Sequence, residues 1–295
     1  MLALLKHNIN MNRLDSKTRA AVMSALVEGC SIRSTARMTG VSKPTILKLL
    51  VQAGAVATKF QDEAFRNLKC KRIQVDEMWA FIACKQKNVT PRIAAKNADA
   101  GDIWLWVGID ADTKLVPSWM LGDRSLNTAY AFVNDLASRL SSRVQLTSDN
   151  YRAYLTAVDV AFGPAIDYAV LHKIYGKAAE GPTRYSPAEC IGCKREAITG
   201  NPDPKHISTS FVERQNLSVR MSLRRYTRLT NAFSRKLDNH AAAVALYYFA
   251  YNFTKIHGTL RTTPAMAAGV TDRLWVVSDL VALIEASERG LERAA

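Results

Sequence analysis

The sequence predicts an α/β protein, a mixed sheet flanked by helices and preceded by an all-α unit. Three observations lead there. Residues 15–50 carry apolar side chains at helical spacing with capping residues at each break, residues 72–121 run in strand-like segments, and helical and strand-like segments alternate from residue 126 onward. A chain of 295 residues with 48% hydrophobic residues is long enough for one good-sized core plus a smaller unit, which excludes disorder and collagen-like architecture.

Asp15 to Glu28 reads as a helix capped by Asp15 or Ser16, with Ala21, Val22, Ala25 and Leu26 at helical spacing before Gly29. A short helix over Ser31 to Thr39 ends at Gly40, and a third begins at Ser42 with Pro44 in its first turn. This is helix-turn-helix arithmetic. In that motif the second helix of the pair enters a DNA major groove, so Ser42, Lys43, Thr45 and Lys48 would face phosphates and base edges; a ligand-free three-helix bundle needs the same apolar pattern. Residues 53–70, with weak periodicity, are expected to link residues 1–52 to a core over 71–240, and residues 241–295 to form a helical buttress.

Strands are expected over Arg72 to Cys84, Ile103 to Asp110 and Leu115 to Leu121, then a helix over Leu126 to Leu140 and a strand over Val144 to Thr147. A helix from Tyr151 to Val158, a strand from Tyr168 to Tyr175 and a long helix from Phe211 follow. The order β-β-β-α-β is that of an RNase H-like fold. Residues 176–210, rich in Gly and Pro, read as an irregular insertion.

Charge narrows the partners. Lys and Arg number 40 against 26 Asp and Glu, and the excess of +14 lies in two blocks, residues 1–72 (13 basic, 4 acidic) and residues 213–240 (7 basic, 2 acidic). Concentrated positive charge attracts polyanions because each neutralised phosphate releases counterions, so nucleic acid is the leading partner. The longest apolar stretch, Ala241 to Phe253, is interrupted by Asn252 and falls short of the roughly 20 residues that span a bilayer, so no membrane partner is expected. The five cysteines and a start without a leader pattern point to a reducing cytoplasm.

The segments VDEMWAF (75–81), WLWVGID (104–110), TSDNYRAY (147–154) and FVERQNLSVRMSLRRYTRLTNAFSRK (211–236) resemble the DDE transposases of bacterial insertion sequences. Their spacing, with YNF at 251–253, is most similar to the insertion-sequence-one family, over roughly residues 71–270. A zinc-binding amino-terminal motif, also seen in that family, is absent. The resemblance implies an RNase H-like core whose catalytic residues are Asp76, Asp149 and Glu213. It also implies a bacterial, nucleoid-associated location and work as a homodimer or higher oligomer on transposon ends and target DNA.

The chemistry agrees. If their strands are neighbours, as in the resembled fold, Asp76 and Asp149 meet at one sheet edge and need a cation, and Glu213 on the following helix adds a third carboxylate. Hard oxygen ligands suit Mg2+ or Mn2+, and two ions about 3.5–4 Å apart would serve phosphoryl transfer. On that helix Arg220 and Arg224 fall within about 20° of Glu213 at 100° per residue, one stripe along which a DNA strand could run, with Asn216 one turn away as a further DNA contact. The basic residue seven positions after the family's glutamate matches Arg220.

Glu77 should project to the opposite strand face, and Asp110, at the end of the second strand, is the main competitor of the triad. Trp79, Trp104 and Trp106 are expected in the core. Cys190 and Cys193 supply only two of the four ligands of a structural zinc, so no zinc site is expected. The leading expectation is a transposase that cleaves and joins DNA. Two alternatives stay open, a nuclease or junction resolvase that cuts without joining and a non-catalytic DNA-binding regulator.

Overall fold

The computed structural model describes residues 13–176, 188–227 and 230–294. Three helices come first, and their ends follow from capping chemistry. α1 (Ser16–Val27) begins where the Asp15 carboxylate accepts from the Thr18 N–H at 2.7 Å, and α2 (Ile32–Thr39) where the Ser31 hydroxyl accepts from the Ser34 N–H at 3.0 Å. Gly40, at φ +70°, closes α2, and α3 (Lys43–Ala64) starts at its cap Ser42.

α3 does not stop near residue 52. It runs for 22 residues, through most of the segment expected to be a linker, and buries Ala53, Gly54 and Ala57. These small residues leave no strong apolar stripe, which is why the periodicity is weak; they let a second helix approach closely instead. A Cβ on Gly54 would lie 2.5 Å from the Ala242 Cα, so α3 and α8 (Leu237–Phe249) are in backbone contact there. α10 (Val277–Ala294) completes the arrangement. Glu288 accepts from Arg19 at 2.9 Å and from Gln52 at 2.7 Å, tying α10 to α1 and α3. Val22, Ile46, Leu246 and Ile284 share one apolar core with strand residues Ile73 and Val75, so the amino-terminal helices are built into the same body as the sheet.

From residue 72 the chain lays down β1 (Arg72–Ile82), the short α4 (Pro91–Lys96), β2 (Gly101–Asp110), β3 (Ser118–Gly122), α5 (Leu126–Arg139), β4 (Gln145–Ser148), α6 (Arg152–Phe162) and β5 (Asp167–Tyr175). The expected β-β-β-α-β order is present. The sheet has six strands in the order β3-β2-β1-β4-β5-β6, with β1 parallel to β4, β4 parallel to β5 and the other pairs antiparallel.

The sixth strand corrects an expectation. β6 (Cys190–Thr199) lies inside the segment read as irregular and pairs along β5, from Thr199 opposite Tyr168 to Cys190 opposite Tyr175. Its residues are mostly exposed, so an edge strand of this kind leaves little apolar alternation in the sequence. Residues 177–187 of that segment lie outside the described residues.

Helices cover both faces of the sheet. Ile73 and Val75 of β1 pack into the core that holds Phe132 and Leu136 of α5, while Met78, Ala80 and Ile82 pack with Val212 and Val219 of α7 (Ser210–Ser222) and Val244 of α8. Asn252 sits in a single π-helical turn after α8, Ala250–Thr254, where it is fully buried. Its amide oxygen accepts from the Val116 N–H at 3.1 Å, and its amide nitrogen donates to the Val116 C=O at 3.1 Å and to Gln61 Oε1 of α3 at 3.2 Å. The YNF segment thereby joins three parts of the fold, and the short α9 (Pro264–Ala267) follows it.

Candidate active site

Register decides where the first two carboxylates stand. In the parallel pair β1 and β4, Arg72 faces Gln145, Ile73 faces Leu146 and Gln74 faces Thr147, so carrying the same offset two residues further puts Asp76 level with Asp149. Side chains alternate along a strand, so Asp76 projects to the face that carries Gln74, and Asp149, one residue past the end of β4, lines the same cleft. The neighbouring Glu77 projects to the other face as expected. It is buried there, paired with Arg124 at 2.7 Å and accepting from the Tyr154 hydroxyl at 3.0 Å.

Glu213 arrives from α7, and the helix is seated by a residue that the sequence did not single out. Gln74 Oε1 accepts from the backbone N–H groups of Phe211 at 2.8 Å and Val212 at 3.2 Å. Thr209, the residue before the helix, makes no side-chain cap, so this buried amide from β1 satisfies two donors that a local cap would otherwise take. A polar residue on the inward face of a strand was the available signal.

Asp76, Asp149 and Glu213 line a single cleft of about 340 Å³, together with Lys173 and Thr209. Each carboxylate already has a partner. Asp76 Oδ2 accepts from the Asn216 amide at 2.8 Å, Asp149 Oδ1 accepts from the Tyr151 N–H at 3.0 Å, and Glu213 Oε1 accepts from Lys173 and from the Thr209 hydroxyl. Among the described residues no group of three acidic, histidine or cysteine side chains lies close enough to share a metal ion. The carboxylates line one cleft, each accepting from a donor of its own.

Their charges still reach one another. Burial, then Glu77, Asp149 and Glu213, push Asp76 up to about 7, the behaviour of a carboxylate cluster short of cations. Lys173 supplies one positive charge; burial draws it down, and its contact with Glu213 and the field of Asp76 outweigh this and raise it. Sequence reading missed Lys173, a basic residue near the end of a strand whose middle, Tyr168 to Leu171, is apolar and buried.

Asp110 is excluded as a member of this site. It pairs with Ile73, three positions before Asp76 along β1, and its carboxylate accepts from the Asp112 N–H at 3.1 Å and the Thr113 hydroxyl at 2.6 Å to close the β2–β3 turn.

The structure also divides the expected arginine stripe. α7 stops at Ser222 and Leu223 ends it, so Arg220 remains on the helix while Arg224 begins a separate 3-10 turn and leaves the Glu213 face. Leu223, Val219 and Val212 are buried, and anchoring Leu223 and Tyr226 in the core is what turns the chain. Asn216 is buried beside Asp76, placed to orient that carboxylate rather than to meet a ligand from solvent.

On α3, Ser42, Lys43 and Lys48 are exposed, and Thr45 is half-buried with its hydroxyl 2.8 Å from that of Ser42. Trp106 is fully buried as expected, but Trp79 and Trp104 are only half-buried, under Lys85 at 5.5 Å and Arg124 at 4.8 Å respectively. The Cys190 and Cys193 sulfurs lie 3.9 Å apart, both exposed.

No protein-family model matches the chain, and no curated protein does. Solved structures do. The chain is similar to a chain of the simian T-cell lymphotropic virus intasome, at 15% identity and a TM-score of 0.41, over 87% of this chain and 77% of that one. It is also similar to a chain of the piggyBac transposase synaptic complex with hairpin DNA, at 10% identity and a TM-score of 0.41, over 90% of this chain and 68% of that one. No helix among the described residues is long and apolar enough to cross a membrane.

Proposed function

We propose that this chain is a DDE-type DNA transposase, cleaving transposon ends and joining them to target DNA. The observation that carries the reading is that Asp76 of β1, Asp149 just past the end of the neighbouring parallel strand β4, and Glu213 on a helix that Gln74 seats all line one cleft. The sequence resemblance to insertion-sequence transposases falls on these same three residues.

Asp76, Asp149 and Glu213 would hold Mg2+ or Mn2+, two ions per site; carboxylate oxygens in a cleft short of positive charge suit hard divalent cations. Bound there, the ions supply activation of a water or sugar hydroxyl and stabilisation of the departing oxygen. The chain's own residues prepare the site. Asn216 orients Asp76, and Gln74 fixes the start of α7. Lys173, once Glu213 turns to a cation, is placed to pair with a phosphate oxygen. Ser42, Lys43, Thr45 and Lys48, at the start of α3, would read the end sequence from the major groove. Arg220 would follow the backbone strand beside the cleft, and Arg224, off the helix, would meet DNA elsewhere. Two ends must be processed together, so the working form is a homodimer or larger assembly on DNA in the bacterial cytoplasm.

Incubating the full chain with candidate element ends, Mg2+ and a target plasmid tests this. Joined products are expected, and Asp76→Asn, Asp149→Asn and Glu213→Gln should each lower their yield by at least about 100-fold. Cut but unjoined ends would replace the transposase reading by a nuclease one. Loss of cleavage in Asp110→Asn with full cleavage in Asp149→Asn would overturn the site.

A further inference from the structure

A second cleft, of about 1000 Å³, opens between the amino-terminal helices and the chain that follows α7. One wall is the α1–α2 turn with Arg33; the other holds Arg224, Arg225 and Arg235; Leu50 and Leu246 form part of the floor. The walls come into contact at Gly29. Gly29, at φ +77°, stands so close that a Cβ would lie 2.4 Å from the Ser222 carbonyl oxygen, so the turn rests on the last residue of the helix that carries Glu213.

Among the described residues four arginines line this cleft and no acidic residue does. Arg33, Arg224 and Arg235 are exposed. Arg225 is set deeper. One of its N–H groups donates to the Ser234 hydroxyl at 2.6 Å, and Ser234 is held in turn by His240, 3.0 Å from its Nδ1. Among the described residues none of the four has a carboxylate within ion-pair distance. A guanidinium removed from water is costly unless an anion accompanies it. Burial draws Arg225 below its ordinary value, as expected of a cation that has lost solvent without gaining a carboxylate. Planar guanidinium groups gathered on two walls match phosphate oxygens, and their fork geometry favours them over a point charge for that task.

We propose that this cleft seats the phosphate backbone of a DNA strand, with Arg225 as the fixed anchor and Arg33 and Arg235 closing from opposite walls. The proposal rests on the DNA reading above and adds a contact distinct from both the exposed start of α3 (Ser42, Lys43, Thr45 and Lys48) and the carboxylate cleft. A strand held here touches the amino-terminal helices and the end of α7 at once, so end binding and the placement of Glu213 are linked through Gly29 and Ser222.

Binding of the full chain to a labelled duplex, followed by fluorescence anisotropy across a salt series, tests it. Arg33→Ala with Arg235→Ala, both exposed and without an ion pair among the described residues, should lower the slope of log affinity against log salt by about 1 for each arginine. It should also weaken binding equally for all sequences. Arg33→Gln and Arg235→Gln taken singly give half the effect and guard against a folding defect, which thermal melting would reveal. If the unaltered chain binds no DNA, the DNA reading fails and this proposal with it. If it binds and the arginine variants keep its slope and affinity, the cleft proposal alone is overturned.

Discussion

The side-chain amide of Asn216 donates a 2.8 Å hydrogen bond to Asp76 Oδ2, so a residue one turn beyond Glu213 orients a carboxylate on the central strand. The amide oxygen of Asn216 is buried and has no partner among the described residues. Asn216→Leu removes an orienting donor and an unpaired acceptor together. Fold stability should change little, because no new polar group is stranded apart from one Asp76 oxygen facing the cleft. Metal-dependent cleavage should fall by about 10–100-fold, the usual cost of losing a group that orients a metal ligand. Unaltered turnover at saturating DNA would show that Asn216 is only a packing residue.

Lys173 competes with any cation for Glu213. The pair is partly exposed, 21% for the lysine and 42% for the glutamate side chain, so its strength lies in the range of about 0.2–1 kcal/mol. Lys173→Met should therefore tighten Mn2+ binding by up to about fivefold, measured by calorimetric titration of the DNA-free chain. Weaker Mn2+ binding would mean that Lys173 supports the site rather than occupying it.

His240 offers a pH test remote from the carboxylates. Burial, and then the charge of Arg225, lower it to about 3, and Ser234 and Tyr226 bracket its ring at 3.0 Å and 2.7 Å. An unfolded histidine takes up a proton near pH 6.5 that the native ring refuses, so the native state loses stability as pH falls below that value. Between pH 7 and pH 5 this amounts to on the order of 2 kcal/mol. Urea unfolding at the two pH values should show the loss in the natural chain, and His240→Gln should show less of it. Equal slopes would place the histidine in contact with water.

Asn252 ties α3, the segment before β3 and the turn after α8 through its bonds to Gln61 and Val116. Asn252→Ala leaves the buried Val116 N–H and C=O and the Gln61 oxygen without their partner. The midpoint of denaturant unfolding should fall, corresponding to at least about 2 kcal/mol. A change below about 0.5 kcal/mol would mean that water replaces the side chain.

Local chemistry written in the sequence determined most of the elements, and the three candidate site positions, Asp76, Asp149 and Glu213, were named there from motifs that resemble a known family. Caps at Asp15, Ser31 and Ser42 and period-two segments set where helices and strands begin, and strand alternation separated Asp76 from Glu77. Periodicity reports which face of an element is buried; it carries no information about which distant residue covers that face. Only the tertiary structure could place the Gln74 amide on the start of α7, set Lys173 against Glu213, pair β6 along β5 and pack Gly54 onto Ala242. The same limit accounts for Arg224. Rotation along an ideal helix kept it on the Glu213 stripe, and the burial of Leu223 and Tyr226 against the core ended that helix before the stripe could reach it.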